Sequence, residues 1–288
     1  MKFYLAGLGN WYSDFELINQ AVLEADKLNF DGALIPDHYM WGTPEWLKRP
    51  DNNETMESWI TLTHLLAQTE QSHLGTLVTP IPFRHPGMLA KMVSTLDILS
   101  SGRVILGVGA GWSQVEFEGF SVWDEPRVRV DKTEEGLELM IQLWTQGKVT
   151  FEGEYYRALG AIIEPKPLQK PYPKLLFGGW GDRMLKLAGK YADICFIPPF
   201  QASDYPDERR QIVINAARQF RREKHIEFMG GSMGGRFLRS PFNITDYSKR
   251  IDIARDAGMD HFLVSLPHDD RFFENLGAFA RDIIPSYH

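Results

Sequence analysis

The sequence predicts an α/β fold: a (β/α)8 TIM barrel over residues 1–288, one domain, with an insertion between helix four and strand five. Three observations carry this. Short apolar runs alternate with longer amphipathic ones, the pattern of parallel strands buried on both faces. Eight such pairs can be read, which favours a closed barrel over an open doubly wound sheet. The 288 residues are 43% hydrophobic and 24% charged, enough apolar material for one large core and too much for global disorder.

The elements follow in order. "KFYLAGL" is the first strand. "SDFELINQAVLEADKLN" is the first helix, with Ser13 and Glu16 at capping-box spacing and Ile18, Ala21, Ala25 and Leu28 on one face. "GALIPD" and Glu54–Gln71 form the second pair, "HLGTLVTP" and Pro86–Ser100 the third, "RVILGVGAG" and Arg127–Gln146 the fourth. "KLLFGGW" with Asp182–Tyr191 and "DICFIPP" with Pro206–His225 come next. "IEFMGGS" with Asn243–Ala257 is the weakest strand, because its glycines pack poorly in a sheet. "HFLVSLP" and Phe272–Ile283 close the series. Two segments exceed ordinary loop length and read as binding walls: Gly42–Asn53, and Thr150–Pro173, whose alternation predicts a small hairpin.

Lys plus Arg total 31 and Asp plus Glu 38, a net charge of -7, which disfavours nucleic acid as a partner. A single cysteine, Cys195 in "ADICFIPP", excludes a disulfide framework and reads as a small buried hydrophobe. The opening "MKFYLAGLGNWYSDFE" turns polar too soon for a signal peptide, and no run is long enough to span a membrane, so a cytoplasmic protein is expected.

In such a barrel the working face is the carboxyl end of the strands. "PDHYMW" places Asp37, His38 and Trp41 there. A histidine beside an aspartate suits a base near neutral pH, and equally a loop histidine bonded to a carbonyl. Trp41 fits either a flat ligand or a cap on the barrel. "GVGAGW" ends the fourth strand in Gly107, Gly109 and Gly111, with Ala110 between them. Glycines there suit the close approach of a planar ring, or a loosely packed strand end. Glu116 follows, either returning a carboxyl group to that edge or solvated. "FGGWGDR" ends a strand and opens a helix, which fits a phosphate site with Arg183 nearby, or only a tight turn. No metal site has convincing ligand spacing: His64 and His73 lack a carboxylate partner, and His261 reads as structural. No G-x-S-x-G elbow suggests a hydrolase.

Taken together, "DHYMW", "LGTLVTPIPFRHPGMLAKMVSTLDILSSGRVILGVGAGW" followed by Glu116, "EPKPLQKPYPKLLFGG" and "RMLKLAGKYADI" resemble the bacterial luciferase-like superfamily, over residues 1–200 and again at "GMDHFLVSLP". The resemblance implies a (β/α)8 barrel with an insertion after helix four, and FMN or the deazaflavin F420 bound at its mouth. It points to the F420-dependent oxidoreductase branch. It implies that Gly109, Ala110 and Gly111 line the cofactor ring, that Asp37 stands beside the cofactor, and that Gly178, Gly179, Trp180 and Gly181 hold its phosphate. It also implies a non-proline cis peptide against the ring at Leu77–Val78, or one bond earlier. By the same resemblance His38 is the base toward a substrate hydroxyl, Glu116 an acid near the ring, and Trp41 a support for the reacting species. Trp41 stands one residue nearer the histidine than its counterpart in those dehydrogenases.

The expected function is therefore F420-dependent hydride transfer to or from a small organic substrate. The alternatives are an FMN-dependent two-component monooxygenase and a non-catalytic flavin-binding protein. The resemblance also implies a homodimer formed through helices two and three. Leu62, Leu65, Leu66, Met88, Met92 and Leu96 fit that interface, or fit the cover of the barrel.

Overall fold

The computed structural model describes residues 1–9, 14–40, 55–199, 205–233 and 241–287. The chain opens with β1 (Lys2–Leu5), α1 (Phe15–Lys27), β2 (Gly32–Ile35) and α2 (Ser58–Gln68). β3 (His73–Thr76) and β4 (Thr79–Pro80) flank a cis Leu77–Val78 peptide, at the first of the two bonds expected. A 3-10 turn at Ile81–Phe83 leads to α3 (Pro86–Leu99), β5 (Val104–Gly109), a short α4 (Gln114–Phe120) and α5 (Pro126–Thr145). The insertion is an antiparallel hairpin, β6 (Val149–Glu152) and β7 (Arg157–Ala161). Then come β8 (Lys174–Gly178), α6 (Asp182–Tyr191), β9 (Ile194–Phe196), α7 (Asp207–Gln219), β10 (Glu227–Gly231), α8 (Ile244–Asp256), β11 (His261–Val264) and α9 (Phe272–Asp282).

The main sheet closes on itself. Its order is β3-β2-β1-β11-β10-β9-β8-β5-β4, every neighbouring pair is parallel, and β3 also pairs with β5. β3 and β4 are two parts of one stave, so the closed sheet is the predicted (β/α)8 barrel. Alternate strand residues point in and out. Tyr4, Leu34, Ile105, Leu176, Ile194, Met229 and Leu263 fill the interior. Their neighbours, among them Phe3, Leu5, Ala33, Leu74, Leu106 and Phe262, pack under the helices. Cys195 lies in that outer layer as expected, where burial pushes its thiol up to about 12.

Three expectations change. The cap of α1 is Asp14, which accepts from the amides of Glu16 and Leu17; Ser13 lies outside the described residues. α2 starts at Ser58, capped by Glu57, rather than at Glu54. α4 was not foreseen, because seven residues are too few for a readable period. β10 does form, with Gly231 at φ +90°, where a Cβ would lie 2.4 Å from the Leu263 carbonyl oxygen. Leu62, Leu65, Leu66 and Leu96 cover the barrel, leaving Ile60, Met88 and Leu99 as the outward apolar side chains of α2 and α3. No helix among the described residues is long and apolar enough to cross a membrane.

Candidate active site at the carboxyl end of the strands

Beyond β2 the chain runs through Pro36 to Met40, and each of these residues is held. The Ser58 hydroxyl donates to the Pro36 carbonyl at 2.7 Å. Asp37 is 1% exposed. Its carboxylate accepts from Trp59 Nε1 at 3.2 Å, from the Thr79 hydroxyl at 2.8 Å, and from both ends of the Arg84 guanidinium at 2.6 and 2.9 Å. Arg84 also donates to Glu57. Burial opposes the arginine's charge, but Asp37 beside it keeps its pKa above the ordinary value. The Thr55 hydroxyl donates to the Tyr39 carbonyl at 2.9 Å. The Tyr39 ring has the Arg84 guanidinium 4.8 Å from its centroid and stacks with Phe83 at 5.0 Å. Burial is the main reason its hydroxyl is pushed up to about 12.

This segment delivers His38 to Glu116. His38 Nδ1 and Glu116 Oε2 are 2.8 Å apart, and the glutamate is fully buried. Glu116 Oε1 accepts from the amides of Tyr39 and Met40, the latter at 3.4 Å. α4 exists to place this side chain: it turns Glu116 and Phe117 inward. Trp112 meets the His38 ring edge-on at 5.7 Å. The two residues that the sequence separates by 78 positions thus form one hydrogen-bonded pair.

The glycines of β5 have a reason that the sequence did not reveal. A Cβ on Gly107 would lie 1.8 Å from the Thr76 carbonyl oxygen, and one on Gly109 would lie 2.4 Å from Val78 Cγ2. On the other side, a Cβ on Gly178 would lie 2.9 Å from Val78 Cγ1. Val78 packs on the top of the interior cluster, and these glycines leave room for its two methyl groups. Their close approach is to the neighbouring stave. Gly111 has φ +81°, and a Cβ there would strike the Phe117 ring at 2.4 Å. Leu77 belongs to the interior cluster, and Ala110 packs against the outer one.

The turn from β8 into α6 differs. Gly181 caps α6 without any side-chain hydrogen bond to the helix amides, and a Cβ on it would meet nothing within 4 Å. Gly179 abuts Met184. Trp180 is 55% exposed and has the Arg209 guanidinium 4.5 Å from its ring. Uncapped amides and open space at a helix start suit an anion. Arg183 is turned elsewhere, bonded to Asp131 and to the Arg127 carbonyl.

Trp41 lies outside the described residues, as do Trp11 and Gly42–Asn53. Arg84, Tyr39, Glu57, Thr79 and Trp59 were not among the sequence candidates. The one signal was Arg84 itself, a cation directly after the apolar "TPIPF".

The comparisons with known proteins agree with this architecture. The F420-dependent glucose-6-phosphate dehydrogenase of Nakamurella multipartita is 37% identical over 179 residues, 62% of this chain and 50% of that protein. The FMNH2-dependent dimethylsulfone monooxygenase of Pseudomonas putida is 32% identical over 139 residues, 48% of this chain and 38% of that one. The matches therefore span half or less of these relatives' length. Among solved structures, an F420-dependent secondary alcohol dehydrogenase in complex with an F420-acetone adduct shares the fold, with a TM-score of 0.82 over 100% of both chains at 22% identity. The model of the luciferase-like monooxygenase family matches residues 7–233, and the chain belongs to that family.

Proposed function

We propose that the chain is an F420-dependent oxidoreductase acting on a small organic substrate with an exchangeable hydroxyl or carbonyl oxygen. The observation that carries this reading is the buried His38–Glu116 pair at the carboxyl end of the barrel. The curated relative from Nakamurella multipartita supports the choice of cofactor. When bound, a deazaflavin supplies two-electron hydride chemistry.

The chain's own residues would do the rest. The Gly178–Gly181 turn fits the cofactor phosphate, since the start of α6 is uncapped and Gly181 faces open space. Leu77, Val78, Gly109, Ala110 and Gly111 would form the wall beneath the ring. Glu116 would fix the orientation of the imidazole, and His38 would take or return the substrate proton at Nε2. Both oxygens of Glu116 already have hydrogen-bond partners in the chain, so we assign its proton traffic to His38 and not to the ring directly. Asp37, bonded four ways within the wall, would brace this segment beside the cofactor. We further propose pairing with a second copy through Ile60, Met88 and Leu99. Sedimentation of the wild type and of Ile60→Lys tests that, with a monomeric wild type overturning it.

Titration with F420 and FMN separately, followed by tryptophan quenching, tests the main reading. Tight F420 binding with negligible FMN binding is expected. Preferential FMN binding overturns it and favours a monooxygenase fed with reduced flavin, the reading that the Pseudomonas putida relative supports.

A further inference from the structure

The His38 imidazole meets Glu116 at 2.8 Å, and both of its chain neighbours are held. Asp37 is gripped through both carboxylate oxygens by Arg84. Tyr39 lies under the same guanidinium and gives its amide to Glu116. One side chain therefore touches both residues that flank His38. Arg84 follows β4 and the Ile81–Phe83 turn, so it also ties the β3–β4 stave to the end of the neighbouring β2. Its side chain is 11% exposed, and its outer partner Glu57 is 34% exposed.

We propose that Arg84 is a positioning residue for the His38–Glu116 pair, acting through Asp37 and Tyr39. A planar fork is required for this. It bonds a carboxylate at two points and presents a flat cation to an aromatic ring, and a lysine ammonium can do neither in the same geometry. Among the described residues, the charged groups that act on the Tyr39 hydroxyl are Asp37, Glu57, Arg84 and Glu116. Arg84 is the only cation among these, so its removal would leave Asp37 buried without its counter-charge. The inference deepens the reading above, because its kinetic consequence depends on His38 serving the substrate.

The test has an arm that needs no turnover. The proton between His38 Nδ1 and Glu116 Oε2 should give a downfield resonance in the full-length protein without cofactor, assigned by its loss in His38→Gln. In folded Arg84→Lys that resonance should broaden or exchange with water about tenfold faster or more, kcat should fall about tenfold or more, and F420 affinity should stay within about threefold, since small misplacements of a catalytic group are costly. Where Arg84→Lys does not fold, Tyr39→Leu, which keeps the backbone amide but removes the ring, should change the resonance in the same direction. An unchanged resonance in the folded variant overturns the positioning role whatever the cofactor is. A wild type that ignores F420 but loses the resonance in Arg84→Lys overturns the functional reading and leaves the positioning role standing.

Discussion

At the scale of single residues, the amides of Tyr39 and Met40 can only donate, so Glu116 Oε1 is an acceptor. A proton shared with this carboxyl group therefore lies on the Oε2 side, against His38. In Glu116→Gln the amide oxygen can accept from the Tyr39 and Met40 amides, which turns the NH2 group toward His38 Nδ1 and favours the tautomer with its proton on Nε2. Turnover should fall about 100-fold, in the range for disrupted acid–base catalysis, while F420 affinity stays within about threefold; steady-state kinetics and quenching titration read the two separately. The β5 glycines make a different prediction. Gly109→Ala forces Val78 to move and should cost about 1–3 kcal/mol in urea unfolding, as overpacking does. Gly181→Ala, facing open space, should stay within about 0.5 kcal/mol of wild type. Asp37 and His38 were legible because polar residues at a strand end stand out, whereas Glu116 read as solvated until the family resemblance was added. Val78 was legible only through a family resemblance. The role of Arg84 was not legible, because its partners come from two separate stretches of chain.

At the scale of elements, two carboxylates organise backbone that would otherwise lack partners. Asp14 caps α1, and Asp14→Ala should lower stability by about 1 kcal/mol in urea unfolding. Glu135 on α5 accepts from the amides of Glu154, Tyr155 and Tyr156 at 2.9, 2.8 and 2.6 Å, and so fastens the turn of the β6–β7 hairpin to the barrel. Glu135→Ala should raise hydrogen exchange at those three amides by about tenfold or more and leave the barrel strands unchanged, since one retained hydrogen bond contributes about 1 kcal/mol. The hairpin was predicted from its alternation. Its anchor was not, because an exposed-looking glutamate in a helix carries no sign of what it faces.

At the scale of the molecule, acid should weaken the fold in two stages. Burial lowers His268 from 6.5 to about 3. The unfolded chain then binds this proton more readily, so the contribution is complete above about 6.5 and is lost as pH falls toward 3. At the amino end of the barrel, Glu227 is lowered from 4.5 to about 2, chiefly by its hydrogen bond to His261. Its contribution is complete above 4.5 and is lost as pH falls through 2. The thermal midpoint should begin to drop below pH 6.5 in the wild type. In His268→Gln the early drop should shrink, with His73 still contributing to it, and in Glu227→Gln the later drop should shrink.

The sequence alone determined the strand–helix alternation, the barrel, the hairpin insertion and the strand ends where chemistry gathers. These are written in local periodicity, which each segment carries without its neighbours. The tertiary structure decided that Glu116 turns inward from a short helix to meet His38, that Gly109 makes room for Val78, and that Arg84 grips the residues on both sides of the histidine. Each of these is a contact between distant stretches of chain. Its geometry is fixed only when the closed sheet brings the strand ends to one face.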